Sequence, residues 1–282
     1  MSKNNEDILG FLYRTAVGRA VLKLLTARWI SRLAGAYCNS PMSKPLVKRF
    51  IRNNNIDLAE FKKSEFLCFN DCFTREIKEN FRPVCMDSSA LVAPCDGLLS
   101  AYKIKSDTVF PAKQSSYTLT SLLNDAKLAE EFEDGILLVF RLCVNHYHRY
   151  CYVDNGVKGE NIFIPGKLHT VRPIALETHS VFCENCREYT VMETENFGKI
   201  VQCEIGAMLV GKIKNHDGAG PFKKGAEKGM FEYGGSTVVL ILKKDAVIIP
   251  ENYFKSTDNC EEIPVKYGEI IAETTIKIPS YI

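Results

Sequence analysis

The stretch KKGAEKGMFEYGGSTVVLIL, residues 223–242, changes character at its centre. Its first half is charged and glycine-rich. From Ser236 onward, Thr237-Val238-Val239-Leu240-Ile241-Leu242 is an unbroken apolar run rich in β-branched residues, which predicts a buried strand. The Gly234-Gly235 pair ahead of Ser236 permits backbone shapes that other residues resist and leaves the Gly235 carbonyl sterically open. A serine hydroxyl held against its own preceding carbonyl can attack it and turn the amide into an ester, a step that strained backbone favours. The plainer alternative is a Gly-Gly turn entering an ordinary strand. A serine-hydrolase elbow, G-x-S-x-G between strand and helix, fits poorly, because Val238 stands two after the serine and strand follows.

Working outward, GILLVFRLCV (135–144) and IVQCEIGAMLVGKI (200–213) have the same texture and similar Gly, Asp and Asn borders. The N-terminal third differs. Across residues 7–37 apolar residues recur as Ile8/Leu9, Leu12/Tyr13, Ala16/Val17, Ala20/Val21 and Leu24/Leu25, a four-residue step that predicts an amphipathic helix. Arg14, Arg19, Lys23, Arg28 and Arg32 flank that stripe against the single Asp7, with Trp29 near the end, a composition suited to a lipid headgroup layer. Packing against the protein's own core is the competing use. Residues 41–90 predict shorter helices ending at Pro83 and Asp87-Ser88-Ser89. The expected architecture is α+β: a helical, membrane-associating region over 1–90, then a mostly antiparallel β catalytic domain over 91–282.

The chain has 282 residues, 46% hydrophobic and 25% charged, which is ordinary globular composition. A formal charge of +2 gives no reason to expect a nucleic-acid partner. The eleven cysteines are irregularly spaced and the start resembles no secretory signal, so they are expected to be reduced in a cytosolic protein. No stretch approaches the roughly 20 apolar residues that span a bilayer.

Two further segments carry residues suited to chemistry. In LVAPCDGLLSAYKI (91–104), Asp96 sits in a Pro-x-Asp-Gly turn opening a strand-like run. Such an aspartate caps its turn or orients a histidine. In FRLCVNHYHRYCYVDNG (140–156), His146 and His148 stand two apart, so on a strand they would share a face. A general base is the better use of one of them than metal binding, since nothing nearby completes a ligand set. Cys183-Glu-Asn-Cys186 is a lone C-x-x-C, so no metal is expected.

Taken in order, these segments resemble the phosphatidylserine decarboxylase family. The resemblance runs through Phe73-Thr74-Arg75-Glu76, Arg82-Pro83, Pro94-Cys95-Asp96-Gly97, Tyr147-His148-Arg149, Pro165-Gly166, Glu184-Asn185 and Arg187-Glu188. It continues through Val201–Ile213, then Lys224-Gly225-x-Glu227-x-Gly229-x-Phe231 into Gly234-Gly235-Ser236-Thr237. It implies self-cleavage between Gly235 and Ser236, with Asp96 orienting a histidine that deprotonates Ser236. Elimination and loss of ammonia would then leave a pyruvoyl group, the covalent cofactor, on a small chain of residues 236–282, 47 in all. Its ketone would condense with the amine of phosphatidylserine and accept electrons as carbon dioxide leaves, giving phosphatidylethanolamine. His148 is the expected base, with His146 in reserve, and His148 is a candidate proton donor after decarboxylation. The best-known bacterial pattern has a second histidine where this chain has Cys151. Gly234 likewise replaces a more usual leucine. The resemblance also implies large and small chains that stay associated, a second copy of the chain as a candidate partner, and a peripheral place on the cytoplasmic face of the membrane. A pyruvoyl decarboxylase of a free amino acid, or a non-catalytic membrane-associated homologue, are the alternatives.

Overall fold

The run of apolar residues after Ser236 forms the strand Ser236–Leu242, and all seven of its residues are buried. This computed structural model describes residues 11–12, 14–25, 28–105, 118–167, 181–206, 212–233 and 236–275. The strand lies inside the largest sheet, hydrogen-bonded on one side to Ile136–Leu142 and on the other to Gly198–Ile205. Beyond Ile136–Leu142 come Gly97–Lys103 and Ile263–Val265. Beyond Gly198–Ile205 come Arg187–Thr194, Gly156–Lys158 and Gly220–Phe222, with Ile162–Ile164 also pairing Arg187–Thr194. Each of these pairings is antiparallel. Two smaller sheets accompany it: Ala90–Val92, Ile270–Thr274 and Val247–Ile248, and Arg149–Cys151, Glu227–Glu232 and Lys212–Asn215. The fold is α+β, mostly antiparallel, as the sequence led us to expect.

Period-two alternation explains why the central strand is apolar throughout. Val238, Leu240 and Leu242 join Leu99, Phe140, Tyr150, Tyr152 and Phe231 in one core. Val239 and Ile241 face the opposite way, into a second core with Val201, Cys203, Leu122, Leu123 and Phe132. Burying each such aliphatic side chain stabilises the fold by about 1.5–3 kcal/mol. With both faces covered, no position on the strand can be polar without special provision. Ser236 and Thr237, at its first two positions, are the exceptions.

The N-terminal region is helical, with Ala16–Leu25, Arg28–Cys38, Lys44–Asn53 and the short Phe69–Phe73. Residues 7–10 of the predicted amphipathic segment, and the side chains of Arg19, Lys23, Arg28, Trp29 and Arg32, lie outside the described residues. Where the stripe is described it divides. Leu12 and Leu22 are buried, whereas Val17 is 68% and Val21 42% exposed. The 200–213 run also divides: strand ends at Ile205, a second strand starts at Lys212, and residues 207–211 lie outside the described residues.

Candidate functional site

The register of three adjacent strands brings the singled-out residues to one end of the large sheet. Leu98 pairs with Arg141, Arg141 with Thr237, and Leu142 with Ser236. Asp96 immediately precedes Gly97–Lys103, and the turn carrying His146 and His148 immediately follows Ile136–Leu142. Positions 96, 143–148 and 236 therefore share an edge although up to 140 residues separate them. Gly234 and Gly235, the glycines ahead of Ser236, lie outside the described residues.

Ser236 is fully buried, and among the described residues its Oγ meets no hydrogen-bond partner. By alternation its side chain turns to the face of Val238, the side of the core that also holds Tyr150 and Phe231. A buried hydroxyl without a partner costs about 1–3 kcal/mol, so an orphan here calls for a reason beyond packing. Ser236 opens a strand and no helix follows it, the reverse of a hydrolase elbow.

The two histidines lie not on a strand, where they would share a face, but in a turn closed by the His146 N–H on Cys143 O at 2.9 Å. Strand resumes only at Arg149. The Cys143 N–H donates to His146 Nδ1 at 3.1 Å, so the His146 proton belongs on Nε2. In His148 the order reverses. Its Nδ1 lies 2.9 Å from His146 O, which can only accept, so Nδ1 carries the proton and Nε2 the lone pair. The His148 ring is 1% exposed and packs on Phe73 with centroids 4.0 Å apart. Burial pushes the His146 pKa down, against the opposing pull of the Asp96 charge.

Asp96 is held by a bidentate pair with Arg82, Nε to Oδ1 and Nη2 to Oδ2, each 2.8 Å. The Tyr267 N–H adds a third bond to Oδ1 at 2.9 Å. Its carboxylate thus bonds to a guanidinium and a backbone amide rather than to an imidazole. Arg82 reaches on to Glu60 at 3.4 Å. Arg75, 3% exposed, donates to the carbonyls of Cys72, Asn145 and His146 and lies over the Phe61 ring. Arg75, Arg82, Asp96, Asn145 and Tyr147 share the walls of a cavity of ≈ 150 Å³ with Glu60 and Asn54.

Sequence reasoning had no way to find Arg82 as the partner of Asp96. Both lie in quoted motifs, but only the fold joins them. Other motif residues prove to be braces. Arg149 clasps Glu227 at 2.8 and 3.0 Å and donates to Thr74 O. Lys224 bonds the Asp87 and Ala90 carbonyls, and Asn185 the Gly206 carbonyl. Gly229 is glycine for a steric reason, since a Cβ there would fall 2.4 Å from Lys214 O. A buried ion pair was also missed: Lys228 sits 2.9 Å from both Glu204 oxygens, each side chain 0% exposed. Burial pushes the Cys151 pKa up to about 12, so at neutral pH it is a thiol and no base. Cys183 contacts Ser121 Oγ, and among the described residues no His, Cys, Asp and Glu side chains gather in threes around a metal position.

Residues 69–273 match the phosphatidylserine decarboxylase family. Phosphatidylserine decarboxylase proenzyme 2 of Clostridium acetobutylicum is 43% identical over 267 residues, 94% of this chain and 91% of that protein. The phosphatidylserine decarboxylase proenzymes of Clostridium botulinum and Clostridium perfringens are 38% and 39% identical, with coverage of 94% and 93% of this chain and 92% of each relative.

Proposed function

Because this chain belongs to the phosphatidylserine decarboxylase family, we propose that it severs itself between Gly235 and Ser236 and then decarboxylates phosphatidylserine at a membrane surface. The observation that carries this reading is the orphaned Ser236 Oγ, sealed at the end of the central strand beside the His146–His148 turn and Asp96.

In the first step the Ser236 hydroxyl gives its proton to an imidazole. Its oxygen bonds to the Gly235 carbonyl carbon, the carbon–nitrogen bond breaks, and the freed nitrogen takes a proton. His148 is the better base of the two, since its bond to His146 O sets the lone pair on Nε2, whereas His146 Nδ1 is engaged by a backbone N–H. Asp96 contributes fixed negative charge at the same edge and favours an imidazolium there. Arg82 and Tyr267 keep that carboxylate in place.

The residues present fit a cofactor made from Ser236, because the position is buried, polar and otherwise unexplained. A pyruvoyl group there supplies a ketone that can take a substrate amine and draw off the electrons released with carbon dioxide. The strand it would head is laddered to Ile136–Leu142 and Gly198–Ile205, so residues 236–282 stay bound to the large chain after cleavage. Apolar side chains cover both faces of that strand, which would help shield a group at its head from water.

Membrane contact is supported by the helical region. Val17, Leu33, Met42 and Leu67 are exposed at 68, 63, 75 and 74%. Among the described residues no helix is long and apolar enough to cross a bilayer. The reading is therefore a protein resting on the cytoplasmic face, its apolar side chains in the headgroup layer.

Purified protein supplied with phosphatidylserine in vesicles should release carbon dioxide and form phosphatidylethanolamine, and Ser236→Ala protein should do neither. Turnover of free serine with none of the vesicle lipid would contradict the lipid assignment.

A further inference from the structure

Of the non-glycine residues with left-handed backbone among those described, Asn55, Asn124, Asp134 and Asp245 are of types that tolerate it. Cys260 and Tyr233 are not, and of these two only Tyr233, with φ +39°, adjoins the cleavage segment. It stands three residues before Ser236, on the chain that enters the central strand. A bulky aromatic residue keeps such a backbone only where its surroundings over-determine it.

Those surroundings come from the helical region. The Tyr233 ring meets Phe69 edge-on, centroids 4.8 Å apart, and Phe73 at 5.9 Å. Phe50 packs on Phe69 at 4.9 Å, and Cys38 belongs to the same cluster. The Phe69–Phe73 helix thus seats this side chain of the cleavage segment, backed by Phe50 and Cys38 from two further helices. Phe73 also carries the His148 ring, 4.0 Å away on centroids. One aromatic cluster therefore touches both the residue that leads into the scissile bond and the imidazole proposed as base.

We propose that Tyr233 is a positioning residue for self-cleavage: seated on Phe69 and Phe73, its own left-handed backbone directs the chain toward the Gly235–Ser236 bond and so favours attack by Ser236. The helical region thereby has a second task besides meeting lipid, since without it the segment loses its seat. This rests on the self-cleavage reading above. The step promoted is the amide-to-ester shift: the oxygen–carbon bond forms at Gly235, the carbon–nitrogen bond breaks, and one proton passes from oxygen to nitrogen.

The test follows full-length protein made by cell-free synthesis, with conversion to two chains read on denaturing gels. Tyr233→Gly, which tolerates the same φ without strain, should cleave at least about tenfold more slowly. Tyr233→Phe, which keeps the ring, should stay within about twofold of wild type. Phe69→Leu keeps apolar bulk in the cluster but removes the ring beneath Tyr233, and should slow cleavage several-fold; it decides the matter if Tyr233→Gly does not fold. Hydroxylamine attacks esters, so in wild type it should capture the intermediate as a Gly235 hydroxamate seen by mass spectrometry. A merely structural role would leave the hydroxamate yield per folded molecule unchanged, whereas the positioning role lowers it in Tyr233→Gly and Phe69→Leu. Cleavage and hydroxamate yield at wild-type levels in both variants would overturn the proposal and leave self-cleavage standing. Wild-type protein that never cleaves would instead overturn the reading on which it rests.

Discussion

Two buried ion pairs, both formed by groups far apart in sequence, have opposite surroundings. Lys228–Glu204 is sealed: both side chains are 0% exposed, and Asn215 and Gln202 complete its hydrogen bonds. Arg82–Asp96 lies on the wall of a cavity, at the sheet edge where Ser236 and the histidine turn meet. The first ties the Glu227–Glu232 strand to the large sheet. On the proposed mechanism the second fixes a charge where a proton would move. The contrast teaches that burial alone does not mark a site; burial beside an orphaned hydroxyl is what singles one out.

The comparison breaks most easily at the sealed pair. Lys228→Met should leave the Glu204 carboxylate buried and unpaired and cost about 3–5 kcal/mol in denaturant unfolding. Glu204→Gln in the same chain should recover much of that loss. The folded fraction should still cleave at a rate near wild type, and a large specific loss of cleavage would show that the pair belongs to the site after all. Asp96→Asn is the reciprocal case. It keeps shape but removes charge, so self-cleavage should slow by about 100-fold while stability changes less. Equal losses of stability and cleavage would erase the distinction.

The smallest effect concerns His146, whose pKa burial lowers. The unfolded chain then binds more protons than the folded one near the ordinary histidine pKa, so stability rises with pH there. Unfolding midpoints should fall as pH drops from 7.5 through about 6.5, and His146→Asn should flatten part of that slope. A slope unchanged by the substitution would mean that other groups set it.

How much of this could be read from the sequence follows from the range of the forces involved. The strand after Ser236 was legible because both of its faces are apolar, and composition alone reports that. Asp96 could be placed at a strand entrance because Pro-x-Asp-Gly is a local turn signal. The turn that carries the histidines could not be read from their spacing, because a hydrogen bond between His148 Nδ1 and His146 O, two residues apart, leaves no pattern there. Arg82 with Asp96, Lys228 with Glu204, and Tyr233 with Phe69 were invisible for a different reason: each pairing exists only once the strands are in register or the helices have docked. The amphipathic stripe showed a helix but not its facing, since Leu22 and Val21 are adjacent in sequence and opposite in exposure.

The central claim concerns a single bond, and the intact mass of the active protein tests it most directly. The account predicts two chains, the smaller spanning residues 236–282 and lighter by one ammonia than the same peptide beginning with serine. Active protein recovered as one 282-residue chain, with Ser236 still joined to Gly235, would contradict it.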